Sequence, residues 1–313
     1  MAIDPDPSSP PASRNLRVVA TLPPYVDHRA AIIAHARINA LRFNTISPLA
    51  ESRRDLLARL QRECGSKPLW IDLKGRQLRI AQFAYLPYAY LRLSHRIRVD
   101  LPVEVHFKDC VSQAVELVDG DKLILSRRPV RVVGEGEPIN ILDPSLRVEG
   151  FLTESDREYV RAARELGLHD YMLSFVEGVE DVTEIESLDP EANVLAKIES
   201  RRGLDFVNSG YAKVRERVGL MAARDDLWIG LGRDKADYLP ALESIVRADP
   251  DAVVASRILT SLEQSDAVAS QDLCDLWLML RLGYRAFLLS DTLCFREESF
   301  RGAAALLESL LGR

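Results

Sequence analysis

Little in this 313-residue sequence would tie it to a membrane, a nucleic acid or a redox chain. No apolar run reaches the roughly 18 residues that cross a bilayer, which argues against a membrane-spanning helix. Positive charge is not in excess: 41 Lys and Arg stand against 47 Asp and Glu, a formal net charge of −6. Binding nucleic acid or an anionic membrane through bulk charge is therefore not expected, although a local basic pocket for a phosphorylated or carboxylated small molecule stays open. Cysteine is scarce. The four, at positions 64, 110, 274 and 294, have no CxxC spacing, so neither a zinc knuckle nor a thioredoxin-type pair is suggested and reduced, mostly buried thiols are expected. Five histidines, at 28, 35, 95, 106 and 169, show no metal-ligand spacing. A GxSxG elbow, HExxH, a Walker A loop and GxGxxG are all missing. Low complexity is confined to residues 1–14, rich in Pro, Ser and Asp and without an apolar h-region. That stretch reads as a disordered tail and not a signal peptide, and a cytoplasmic location is expected.

What is present is a rhythm. Apolar runs of strand length at 16–22, 38–44, 69–73, 171–176, 193–198, 227–231, 252–255 and 286–290 alternate with amphipathic stretches of helix length, the pattern of β/α units on a parallel sheet. Eight such units suit a (β/α)8 TIM barrel, which takes about 250 residues. Helix punctuation agrees, with Thr153-Glu154-Ser155-Asp156 opening one helix and Asp272 preceding another that stops at Gly283. Nearly a hundred residues separate the third and fourth strands. They hold β-rich pieces at 91–99, 103–107, 122–125 and 130–133, with turn signals at Asp119-Gly120-Asp121 and Gly134-Glu135-Gly136. A structureless loop of that length is improbable, so the sequence predicts a small inserted β domain over 80–150, with the barrel at 15–79 and 151–313.

In a strand, residues i and i+2 share a face, and barrel active sites gather at the carboxyl ends of the strands. Three strands end in polar pairs of that spacing: Arg42 and Asn44, Asp72 and Lys74, Lys197 and Glu199. A carboxylate beside a lysine at a barrel mouth suits a divalent ion and a cation near a reacting oxyanion. An ordinary strand-end ion pair would leave the same spacing. With a sixth strand at 227–231, Asp234 follows its carboxyl end and is the expected second metal ligand, whereas Asp225 and Asp226 fall at its amino end and read as solvated or helix-end residues.

These residues resemble a family. Asn193-Val194-Leu195-Ala196-Lys197-Ile198-Glu199, followed by Arg202-Gly203-Leu204-Asp205, is similar to the SKIE segment of the pyruvate kinases. The likeness runs along the barrel in order. Val18–Leu22 with Pro24 resembles CTIGP, Ala40–Asn44 resembles ARLNFS, and Ile71–Arg79 resembles DTKGPEIR. Leu152–Asp156 and Ser174–Val176 are similar to LTEKD and ASFVR, Ala255–Leu259 with Ser261 to ATQMLES, and 283–290 to DGADAVMLS. The insert falls where that family carries its lid domain, and the family's C-terminal regulatory domain has no counterpart in the 313 residues.

The resemblance implies a magnesium- or manganese-dependent phosphotransferase acting on phosphoenolpyruvate, pyruvate or a related 2-oxo acid enolate. Lys197 would stabilise the phosphoryl group or enolate oxygen, Glu199 would bind the divalent ion, and Arg42 would contact substrate phosphate. Asn44 and Asp72 would hold a monovalent cation such as K+, Arg79 would face a nucleotide, and Ser256 would stand near the methylene carbon. The departures are equally specific. RGDLG is matched to Leu231-Gly232-Arg233-Asp234-Lys235, one residue out of register. The threonine of DTKG is Leu73, the arginine of SFVR is Glu177, and LSGET is Ser290-Asp291-Thr292. They leave open whether a nucleotide binds. Ile229-Gly230 with a following aspartate also resembles the IGxxDL of HpcH/HpaI aldolases, which implies a metal-dependent lyase as the alternative. A non-catalytic binder is the third reading, and pairing of outer helices into a homo-oligomer is left open.

Overall fold

The computed structural model describes residues 16–47, 49–84, 89–107, 110–130 and 133–311. The tail expected at 1–14 lies outside them, and the strand expected at 130–133 falls partly outside. Along the chain, β1 (Arg17–Thr21), α1 (Arg29–Ala34), β2 (Ala40–Asn44), α2 (Arg53–Cys64) and β3 (Leu69–Leu73) begin the barrel. Seven strands follow: β4 (Ile80–Ala84), β5 (Tyr90–Leu93), β6 (Ile97–Arg98), β7 (Val103–His106), β8 (Val111–Val118), β9 (Lys122–Leu125) and β10 (Arg147–Val148). The barrel resumes with α3 (Glu154–Glu165), β11 (Asp170–Leu173), α4 (Val179–Leu188), β12 (Asn193–Ile198), α5 (Arg201–Ser209), β13 (Val218–Ala223) and α6 (Arg224–Gly230). It closes with α7 (Tyr238–Ala248), β14 (Val253–Ala255), α8 (Ser270–Leu282), β15 (Ala286–Leu289), α9 (Asp291–Phe295) and α10 (Glu297–Leu311).

Eight parallel strands form a closed barrel in the order β1-β15-β14-β13-β12-β11-β3-β2. The 2.0-residue period of each strand sorts its side chains. Val18, Ala20, Leu41, Phe43, Ile71, Val194, Ala196 and Ile198 face outward into the core beneath the helices. Val19, Ala40, Met172, Leu195, Met221, Val253, Ala286 and Leu288 face inward and fill the barrel interior. Continuous burial on both faces explains why these strands read as unbroken apolar runs. Of the strands between β3 and α3, five form their own antiparallel sheet, ordered β4-β5-β9-β8-β7, and β6 pairs with β10; a separate apolar cluster there includes Leu78, Leu91, Val105 and Leu123. No helix of the described residues is long and apolar enough to cross a membrane.

Helix ends follow the expected chemistry. Thr153 caps α3 in a reciprocal box with Asp156, and Gly283 ends α8 in the left-handed conformation at φ 113°, where a side chain would be strained.

One strand is displaced from the sequence reading. The sixth barrel strand is β13, Val218–Ala223, and residues 227–231 belong to α6 and the turn after it. The run VGLMAA lacks β-branched and aromatic residues beyond its first position, whereas Leu-Trp-Ile looks like a strand. Tertiary pairing decides: β13 hydrogen-bonds β12 over Val194↔Val218 to Ile198↔Ala222 and β14 over Met221↔Val253 to Ala223↔Ala255. The small residues let the barrel close there.

Candidate active site

The inward-facing set changes character along the barrel axis. Its lower layers are apolar, but at the carboxyl ends Arg42, Asp72, Ser174, Lys197 and Glu199 replace them, all buried except for the half-buried Lys197. Burying charge is tolerable only with partners, and the partners are here. Lys197 Nζ donates to Asp72 Oδ1 at 3.1 Å and to Ser174 Oγ at 2.8 Å, and lies 3.6 Å from Glu199 Oε1. On its other side Asp72 Oδ2 takes Nε and Nη2 of Arg42 at 2.7 and 2.6 Å. Burial alone would raise the Asp72 carboxyl, yet the Lys197 and Arg42 charges hold it below the usual carboxylate range. Burial would lower the Lys197 ammonium, and Asp72 and Glu199 reverse that and lift it.

Glu199, 1% exposed, has a different environment. Its Oε2 accepts the Phe175 N–H at 2.6 Å, from a residue held at φ 54°. Beyond it lies the carboxylate of Asp226, in hydrogen-bond contact with Glu199. Burial pushes Glu199 up to about 8, with Asp226 adding to the rise against the opposing Lys197. Burial raises Asp226 as well. Two acids forced together in this way share a proton in the absence of a cation.

The carboxylate beside Glu199 is thus Asp226 and not Asp234. The strand ends at Ala223, so Arg224-Asp225-Asp226-Leu227, and not 231–235, stands at its carboxyl end. Asp234 follows α6, its side chain is 71% exposed and pairs with Arg201 at 2.8 Å, so it points away from Glu199. Ile229-Gly230 lies within α6, where the lack of a side chain lets the helix approach: a Cβ on Gly230 would sit 2.3 Å from the Glu199 carbonyl oxygen. The IGxxDL likeness therefore places no carboxylate at the mouth.

A monovalent-cation site at Asn44 and Asp72 is not assembled. Both Asp72 oxygens carry cationic side chains, and Asn44 directs Nδ2 to Asp291 Oδ2 at 3.0 Å and Oδ1 to the Ile46 N–H. Arg79 lies near Asp226, Asp72 and Glu199. It donates to Gly136 O at 2.6 Å and to Gln77, and its Nε is buried without a partner. Ser256 follows β14 at φ 63°, with Arg257 at 55° and Leu259 at 53°, a strained turn of the kind that collects at functional sites. Its carbonyl accepts Nε and Nη2 of the buried Arg224 at 3.0 and 2.7 Å, while Arg224 also forks onto Asp275 at 2.6 and 2.9 Å.

Sequence reasoning missed Asp226, Ser174, Asp291 and Arg224. Asp226 was findable from the order Arg-x-Asp-Leu directly after a small-residue run. Ser174 lies two residues beyond the inward Met172, so the period-two rule also marks it.

The donor set fits a divalent ion. Magnesium takes one or two carboxylates and completes its shell with water and substrate oxygens, and Glu199 and Asp226 are such a pair. Among the described residues no group of three or more His, Cys, Asp or Glu is arranged to hold a metal, so the other ligands would come from substrate and solvent.

No protein-family profile matches the chain. Among curated proteins it is similar to the pyruvate kinase of Methanocaldococcus jannaschii, 25% identical over 234 residues, covering 69% of this chain and 50% of that enzyme. The pyruvate kinase of Thermoplasma acidophilum is 26% identical over 234 residues, covering 66% and 41%. That of Lactobacillus delbrueckii subsp. bulgaricus is 29% identical over 126 residues, covering 38% and 21%. The chain thus spans half or less of the length of these relatives. Among solved structures, Cryptosporidium parvum pyruvate kinase superposes with a TM-score of 0.74 at 16% identity, covering 96% of this chain and 71% of that one.

Proposed function

We propose, for a chain that is a divergent pyruvate kinase-like barrel, that it performs divalent-cation-dependent chemistry on a pyruvate-type 2-oxo acid through its enolate, phosphoryl transfer being the reaction that the relatives suggest. The observation that carries this is the pair formed by the buried Glu199 and the half-buried Asp226 beside the Lys197 ammonium. A divalent ion held by the two carboxylates would polarise the 2-oxo group and favour loss of a methyl proton. Lys197, fixed by Asp72 and Ser174, places a positive charge where the enolate oxygen gains its negative one, and needs no reorganisation to do so. Ser256, directly after β14, would serve the methylene side. Arg79, with a free buried N–H, is the group for a second substrate. A metal-dependent lyase is the second reading. It is favoured by the state of Arg42, whose donors are mostly spent on Asp72, Asp291 and Thr21.

The test is exchange of the pyruvate methyl protons in D2O, followed by NMR with and without magnesium. Magnesium-dependent exchange supports enolate formation; no exchange together with no binding of oxalate, an enolpyruvate mimic, removes both enzymatic readings.

The pH dependence has a definite sign. A metal ion must displace the proton that the raised Glu199–Asp226 pair holds, so magnesium affinity in the presence of oxalate is expected to rise about tenfold per pH unit as pH increases towards 8. It flattens above about 8, where the pair has lost its proton. Without metal the sign is opposite. The folded carboxyl titrates near 8 and the unfolded one near 4.5, so the folded state binds more protons between those values and thermal stability falls as pH rises through that window. Calorimetric titration and thermal melts at several pH values check both slopes.

A further inference from the structure

The arginine at the mouth is held in an unusual way. Nε and Nη2 of Arg42 both lie on Asp72 Oδ2, and Nη1 donates to Thr21 Oγ1 at 2.9 Å and to Asp291 Oδ2 at 2.8 Å. A guanidinium has five N–H groups, so a single N–H of Nη2 is left. Asp291 is the outermost of these partners: its side chain is 32% exposed, whereas Arg42 is 10% exposed and Asp72 5%. It is fixed at the first position of α9, directly after the Ser290 cap, and Asn44 Nδ2 holds the same oxygen at 3.0 Å. A ligand approaching Arg42 from the open end of the barrel therefore meets a carboxylate before it meets the cation.

The charge of the whole cluster points the same way. Among the described residues, Arg42, Lys197 and Arg79 face Asp72, Glu199, Asp226 and Asp291. A divalent ion leaves the pocket with one net positive charge, which the carboxylate of an unphosphorylated 2-oxo acid balances. A phosphoryl ester would bring a further charge of about −1.5 to −2 and place it beside Asp291. Juxtaposing like charges in a partly desolvated site is strongly unfavourable.

We infer that Asp291 is a specificity residue that closes the Arg42 end of the site to phosphate and reserves it for an unphosphorylated 2-oxo acid. The inference rests on the enolate reading and, within it, selects the lyase over phosphoryl transfer: the reaction is at carbon, with Arg42 serving to position Asp72 and through it Lys197.

Calorimetric titration of the full chain with magnesium tests this, using oxalate and phosphoenolpyruvate as the two probes on the wild type, Asp291→Ser and Asp291→Asn. The Asn variant keeps the size of the side chain and guards against a folding defect in the Ser variant. Both substitutions should shift the ratio of phosphoenolpyruvate to oxalate affinity by about tenfold or more in favour of the phosphorylated ligand. An unchanged ratio in both variants, with oxalate still bound, overturns the role of Asp291 and leaves the enolate reading intact. No magnesium-dependent oxalate binding by the wild type strikes the enolate reading itself, and the inference falls with it.

Discussion

Replacing Lys197 by methionine is expected to lower folding stability by about 3–5 kcal/mol, the usual consequence of removing one member of a buried ion-pair network, and to slow pyruvate methyl-proton exchange by about 100- to 1,000-fold. The two effects have separate causes. Stability falls because Asp72, 5% exposed, keeps only Arg42 as a counter-charge, and the Ser174 hydroxyl loses its acceptor role. Exchange slows because the site no longer presents a charge to the enolate oxygen. Urea denaturation reads the first and NMR the second. A Lys197→Met variant as stable as the wild type would show that the cluster is solvated and that Lys197 does not organise it.

Arg224→Met should be nearly as damaging, at about 3 kcal/mol, although Arg224 touches no substrate. Its guanidinium, 1% exposed, joins the start of α6 to Asp275 on α8 and to the Ser256 carbonyl after β14. The substitution leaves that carbonyl and Asp275 without their donor. It also frees the left-handed turn at Ser256 and the helix start that carries Asp226. Affinity for magnesium and oxalate is therefore expected to fall with stability, whereas a loss below about 1 kcal/mol in urea denaturation would show that solvent replaces the guanidinium.

Much of this molecule is legible in its sequence, and the boundary has a physical cause. Seven barrel strands stand out because both of their faces are buried, which concentrates Val, Ile, Leu and Phe. The inward polar pairs stand out because period two separates Arg42, Asp72 and Lys197 from the apolar residues around them. The sixth strand is hidden because its inward and outward faces are filled by Gly219, Met221, Ala222 and Ala223, whose pattern is no more strand-like than helical. The neighbouring Leu-Trp-Ile run, read as the strand, puts its carboxyl end at Leu231 in place of Ala223 and so points to Asp234 and not to Asp226. The contacts of Asp291 are beyond reach for another reason: they join the end of β2 to the start of α9 across β1, and no local pattern reports a meeting 249 residues apart.

The most direct measurement is calorimetric titration of manganese or magnesium, with oxalate present, into the wild type and into Glu199→Gln, Asp226→Asn and Asp234→Asn. Loss of about 100-fold or more in affinity for the first two variants, with Asp234→Asn indistinguishable from wild type, is the result expected from a two-carboxylate site at the ends of β12 and β13. Tight binding retained by Asp226→Asn, or lost in Asp234→Asn, would contradict it.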